Sequence, residues 1–167
     1  MPLFSRSFLV LAALLASVPA TRCLAADEPK PVDACSLVTK DEAEQLLGKP
    51  VRDPDHPLEG AATYAVTSCT YRATEGMERV SLVVIAAGDA ASARSAFDLE
   101  KTQAVTQMNV TPVDVAGLGD AAFWEGGIYN KLRVLSGRVG LSVGITGQTS
   151  PDGKLRTLAE TAIKRLR

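Results

Sequence analysis

Leu132-Arg-Val-Leu-Ser-Gly-Arg-Val-Gly-Leu-Ser-Val-Gly-Ile-Thr146 is the stretch on which the fold turns. In its second half Val139, Leu141, Val143 and Ile145 alternate strictly with Gly140, Ser142, Gly144 and Thr146. A period of two is the signature of a strand, here with one greasy face and one nearly bare. Gly137 separates this strand from Leu132–Ser136, so the stretch predicts a β-hairpin. A bare Gly/Ser/Gly face lets another element approach the backbone closely. That face is either a seat for a packed helix or a shallow groove for a ligand or peptide.

Working outward, Ala121–Glu125 reads as a further strand between turns at Gly117-Leu-Gly119 and Gly126-Gly127. Another strand is expected over Val110–Val115. Before it, Asp89 to about Ala104 reads as a helix with Ala90, Ala93, Phe97 and Ala104 on one face. Val80–Ala87 is apolar on both faces, as a central strand would be, and follows a turn at Glu75-Gly76. Thr67–Arg72 is the strand before it, carrying Cys69 and Tyr71. Val51–Gly60 reads as a loop. Thr39 and Glu42 form a capping box ahead of Ala43, Leu46 and Leu47; Gly48 ends that helix and Pro50 prevents its continuation. At the far end Leu155, Leu158, Ala159, Ala162, Ile163 and Leu166 make a helical stripe. The order is helix, two strands, helix, four strands, helix, with short connections. That order predicts an α+β fold: an antiparallel sheet of about five to six strands with three helices packed on it.

The opening residues read as a secretory leader. Arg6 precedes an apolar run from Phe8 to Val18, and small residues follow, with candidate cuts after Ala20, Ala25 and Ala26. The run is about half of the ~20 residues a membrane-spanning helix needs. Cys23 offers lipid anchoring as an alternative, but Arg22 stands where a small residue should precede a lipidated cysteine. Residues 1–25 are therefore assigned to the signal peptide, 26–34 to a flexible lead-in and 35–167 to one domain. About 140 mature residues suffice for a real core. Once the leader is removed, Cys35 and Cys69 remain, and an even count in an exported chain suggests one disulfide. It would close a loop of about 33 residues and stabilise by roughly 3–4 kcal/mol; two free buried thiols are the alternative. Arg6 and Arg22 leave with the leader, so 16 of the 18 basic side chains face 19 acidic ones, a net charge of about −3. That balance makes no electrostatic case for nucleic acid or an anionic membrane surface.

Five motifs invite a functional reading. Gly140-Leu-Ser142-Val-Gly144 matches the nucleophile elbow of hydrolases, but that chemistry needs a strand-to-helix turn and a later histidine. The only histidine is His56. Gly117-Leu-Gly119-Asp-Ala-Ala122 matches a loose dinucleotide loop, yet Phe123-Trp124-Glu125-Gly126-Gly127 breaks the helix such a loop requires. Asp53, Asp55, His56 and Glu59 are metal-capable, interrupted by Pro54 and Pro57; a solvated loop is the plainer account. Trp124, with Phe123 and Tyr129, is either core packing or a rim of aromatics at a binding face. Asn109-Val-Thr111 is a glycosylation sequon, meaningful only in a eukaryotic secretory route.

Cys35-Ser-Leu-Val-Thr39 with Leu46-Leu47-Gly48, Ser68-Cys69-Thr70-Tyr71, Val115-Ala-Gly117-Leu-Gly119-Asp-Ala-Ala122 and the closing hairpin together resemble a family. It is the group of small exported bacterial domains of unknown function with a "CSLLT…LLG" opening and a "GLGDAA" turn, many of them actinobacterial lipoproteins. The resemblance covers most of residues 35–146. It implies an envelope-associated or secreted α+β domain with a Cys35–Cys69 link, and it hands over no catalytic residue. The absence of a lipobox around Cys23 departs from the family's lipoproteins.

The expected function is a non-enzymatic periplasmic or secreted module that binds a protein, peptide or small ligand, without a cofactor. Trp124, Tyr129, Gly140, Ser142 and Gly144 are the candidate ligand-binding residues. No nucleic-acid partner is expected, nor an integral membrane segment after cleavage. A hydrolase-like enzyme using Ser142, or a metal at the Asp53–Glu59 loop, is one alternative. A structural envelope accessory protein is another.

Overall fold

The computed structural model describes residues 28–55, 64–126, 130–147 and 152–166. The leader with Cys23 lies outside them, as do His56, Glu59, Gly127 and Tyr129. The elements are α1 (Ala34–Leu37), α2 (Lys40–Leu47), β1 (Tyr64–Arg72), β2 (Arg79–Ala87), α3 (Ala90–Thr106), β3 (Val113–Asp114), β4 (Ala121–Glu125), β5 (Asn130–Ser136), β6 (Val139–Thr146) and α4 (Asp152–Arg165). The expected α+β class and element order hold, with α1 as an additional single turn.

All six strands form one antiparallel sheet in the order β1-β2-β6-β5-β4-β3. The β1–β2 hairpin therefore lies against the last strand of a β3–β6 meander, and α3 makes the crossover between them. β2 is interior, as its two apolar faces require. β1 is one edge strand of the sheet, with β3 at the other edge, and the chain before β1 shields part of its edge: Val51 bridges Ala73 and Asp55 bridges Thr70.

One sheet face carries the main core. Cys69, Tyr71, Val80, Leu82, Val84, Leu132, Val134, Leu141, Val143 and Ile145 are buried there beneath α1, α2 and α4. The four apolar positions of the quoted strand all point this way; three are buried and Val139 packs at the margin. The Tyr71 hydroxyl donates to the Val38 carbonyl at 2.8 Å inside this layer. Cys35 and Cys69 are disulfide-bonded, with Cα atoms 5.1 Å apart across 34 positions of sequence. The bond ties α1 to the middle of β1. Ala34 is fully buried, and the Val32 carbonyl accepts from the Thr67 hydroxyl. Packing thus begins within the expected lead-in.

Among the described residues the opposite face carries α3 alone of the helices. A small second cluster of Ala87, Ala93, Phe97, Phe123 and Leu135 joins that helix to the sheet. Ala90 was expected on the buried face but is exposed, because it is the first residue of α3, next to the Asp89 cap. The strand expected over Val110–Val115 is shorter than that, because the chain is still leaving α3 at Val110. Asn109 takes a left-handed φ of 52°, and the Val110 amide bonds the Ala104 carbonyl at 2.9 Å. An asparagine in that conformation stops a helix as a glycine would, and Pro112 has no N–H to give a ladder. Only Val113 and Asp114 pair.

Candidate functional site

Beside α3, the face opposite the main core is half open among the described residues, and Gly140, Ser142 and Gly144 run along its middle on β6, with Gly140 and Ser142 partly exposed and Gly144, expected to bind ligand, buried against Ser81 and Lys131. Each sits between two defined neighbours. Gly140 lies between Ile85 and Leu135, Ser142 between Val83 and Arg133, and Gly144 between Ser81 and Lys131. Beyond β2, β1 extends the same face with Ser68 opposite Val83 and Thr70 opposite Ser81. Ser68, Thr70, Ser81, Val83, Lys131 and Ser142 are all partly exposed. Alternation produces this surface: the same strands that bury their large residues in the main core turn their small and polar ones outward.

α3 passes over β6, but among the described residues no helix atom comes within 4 Å of where a Cβ would stand at Gly140. A Cβ added at Gly140 would meet only Ile85, at 3.8 Å or more. At Gly144 it would meet cross-strand neighbours, the nearest being Ser81 Oγ at 3.0 Å. Among the described residues the face is therefore not filled by the close helix packing that its glycines would permit.

One border of the open face is a charged wall. Glu125 ends β4 almost wholly buried, with 3% of its side chain exposed. Its carboxylate accepts from Arg133 Nε at 3.0 Å and lies 3.6 Å from Lys131 Nζ. Arg133 donates a second bond to Glu100 of α3 at 2.5 Å. Burial pushes the Glu100 carboxyl above the ordinary range, with the Arg133 charge pulling against it. Deeper along α3 the Phe97 and Phe123 rings meet edge to face at 5.0 Å, and the Lys101 ammonium lies 5.9 Å from the Phe123 centroid. These groups hold α3 at a fixed distance from the sheet.

The candidate residues do not all come together. Trp124 pairs with Leu132, whose side chain belongs to the main core, so Trp124 points to the opposite side of the sheet from Ser142. It is partly buried against that core. Phe123, next to it, is fully buried beneath α3. Ser142 lies mid-strand in β6 rather than at a strand-to-helix turn. Gly117 and Gly119 form a turn that leads into β4, not into a helix. In the Asp53–Glu59 segment, Asp53 bonds Lys40 at 2.8 Å and Asp55 bonds Arg72 at 2.9 Å. No cluster of three metal-capable His, Cys, Asp or Glu side chains occurs among the described residues.

Glu100, Glu125, Lys131 and Arg133 had not stood out in the sequence. Glu100 is 33 positions from Arg133 on a helix with charged residues all round its outer surface. The one local signal was the pair of basic residues at alternate positions of β5, which places Lys131 and Arg133 on one face.

No protein-family model matches this sequence, and no curated protein matches it. Among solved structures the chain is similar to the extracellular domain of PknH from Mycobacterium tuberculosis, with a TM-score of 0.53 at 14% identity, over 82% of this chain and 97% of that one. The likeness is one of fold: the α+β architecture with an open antiparallel sheet is found in an extracellular domain. No described helix is long and apolar enough to cross a membrane.

Proposed function

We propose that this protein is an exported, non-enzymatic binding domain, and that a peptide or small polar ligand docks on the open sheet face at Gly140 and Ser142. The observation that carries the reading is the unfilled space at Gly140 beside a fixed charged wall. Domains commonly use a rigid scaffold with a few placed polar groups to orient a ligand. Here Ser142, Ser81 and Thr70 supply hydroxyls, and the Arg133–Glu125–Glu100 wall supplies charge of both signs. An extended peptide would lie across the strands with its backbone close to the glycines.

Export is supported by three independent features. The leader has the n–h–c pattern of a signal peptide. The Cys35–Cys69 bond belongs to an oxidising compartment. The fold likeness is to a domain that is itself extracellular. The resemblance of the Cys35–Thr39 opening and the Gly117–Ala122 turn to small exported bacterial domains points the same way.

The test is a thermal-shift screen of peptides and polar metabolites against wild type and Gly140→Leu. A Cβ at that position meets only Ile85, at ordinary contact distance, and the melting curve of the ligand-free variant checks that the longer side chain leaves the fold intact. Ligands of the face should stabilise wild type and lose that effect in Gly140→Leu. Compounds that stabilise both equally bind elsewhere and would remove the sheet face from the proposal.

A further inference from the structure

We infer that the β1–β2 turn carries a separate binding site for a compact oxyanion of the phosphate type, held by Arg52, Arg72 and Arg79. Arg72 and Arg79 are the last paired residues before the turn and stand directly opposite each other in the ladder. Their side chains project on the same side of the sheet. Like charges placed opposite one another across two strands are unfavourable. Arg52 joins them from the segment that shields the edge of β1, where its amide bonds the Arg72 carbonyl at 2.9 Å. The three arginines line one open cavity of about 250 Å³, with Met77 and Glu78 also on its wall.

The carboxylates nearby do not neutralise this cluster. Glu78 is committed to Lys49, whose hydrogen bond holds the Glu78 carboxyl below its usual range. Asp55 binds only the Nε of Arg72, at 2.9 Å. Arg52 gives one bond to the Thr74 carbonyl at 3.2 Å. Among the described residues Arg79 has no carboxylate partner, and neither does Arg52. Glu75 lies in the same turn but not in the cavity wall. On the cavity wall Arg52, Arg72 and Arg79 outnumber Glu78 by two charges, and with Lys49, Asp55 and Glu75 counted the corner still carries one positive charge in excess, in a chain whose formal net charge is −1.

Guanidinium groups present planar, paired N–H donors that match the oxygens of phosphate and carboxylate better than an ammonium does. A tetrahedral, doubly charged oxyanion would take donors from several arginines at once and relieve the Arg72–Arg79 opposition. The site is one cavity rather than a broad basic surface, which fits a single phosphoryl group and not a nucleic-acid backbone. This inference is independent of the sheet-face proposal, because the cavity wall contains none of Gly140, Ser142 or Gly144.

The test is a ¹H–¹⁵N chemical-shift titration of the disulfide-bonded protein with inorganic phosphate and with O-phosphoserine, at ionic strength matched by chloride. Saturable shifts centred on the amides of Gly76, Met77 and Arg79 are expected. Arg79→Gln should weaken binding about tenfold or more, and Arg79→Lys should fall between it and wild type. Arg94→Gln on α3 and Gly140→Leu should bind as wild type does. Tighter binding of phosphoserine than of phosphate would assign the site to a phosphoryl group on a larger ligand; the reverse would assign it to the free ion. Arg52→Gln, outside the strand ladder, carries the same expectation should Arg79→Gln fold poorly. Shifts no greater than chloride produces, or unchanged affinity in the folded arginine variants, would overturn the inference.

Discussion

Glu42 does two jobs with one carboxylate. It completes the capping box of α2, accepting the Thr39 amide at 2.8 Å, and it receives two guanidinium N–H groups of Arg165, each at 2.8 Å. Arg165 also donates to the Leu37 carbonyl at 2.8 Å, so the end of α4 is fastened to the junction of α1 and α2. The Arg165 bond holds the Glu42 carboxyl below the ordinary value of 4.5. A depressed folded pKa means that folding favours the ionised form. Its contribution is complete above pH 4.5 and disappears as the pH falls through the lower folded value. Denaturant titrations should show wild type losing stability in that acid range, and Glu42→Gln should show a shallower loss. Arg165→Ala should cost about 1–2 kcal/mol at neutral pH. Glu125 is the more demanding carboxylate, because it is buried between Arg133 and Lys131. Glu125→Ala would leave a buried guanidinium with one partner fewer, and should lower unfolding free energy by about 3 kcal/mol.

At the scale of elements, the turns decide where the strands begin. The backbone at Gly119 has a φ of +60°, and an added Cβ would stand 2.3 Å from the Leu135 carbonyl oxygen and 2.7 Å from Val134 Cγ1. Both obstacles are fixed parts of β5, so Gly119→Ala must displace the entry to β4. Gly48, at the end of α2, also has a left-handed φ, +70°, but open space around it. Gly48→Ala should therefore cost only the conformational penalty of about 1 kcal/mol, and Gly119→Ala at least ~2 kcal/mol. Chemical denaturation of the two variants side by side checks the ranking; equal losses would mean that the close approach at Gly119 is relieved cheaply. Helix α3 shows the same dependence on its ends. Asp89 caps it through the Ser92 amide at 2.8 Å, and Asn109 stops it.

For the whole molecule, the layers are unequal. Three helices and the disulfide cover one sheet face, whereas α3 alone covers part of the other. The Cys35–Cys69 bond is the covalent tie of the thicker layer, joining the first turn of helix to β1 across 34 positions. Reduction should lower stability by roughly 3–4 kcal/mol, read as a fall in melting temperature on adding reductant. A Cys35→Ala/Cys69→Ala variant should already melt at that lower temperature and show no further response. The proposed ligand face lies on the thinner layer, bordered by the charged wall between α3 and β5.

Much of this architecture was legible in the sequence, because it is written in local terms. The two-residue alternation from Val139 to Thr146 sets which face of β6 is buried, since a slip by one residue would reverse every side chain. The capping box, the glycine after α2 and the apolar stripe of α4 mark their helices by short-range chemistry alone. β3 is shorter than its sequence pattern suggests because the left-handed Asn109 diverts the chain, and that turn depends on the Val110 amide reaching the Ala104 carbonyl six positions back in the helix that ends there. The order of strands, the side taken by α3, the separation of Trp124 from Ser142 and the meeting of Glu100, Glu125 and Arg133 were decided only by tertiary structure. Each joins residues far apart in the chain, and no local periodicity encodes which charged side chains will converge once β6 inserts between β2 and β5.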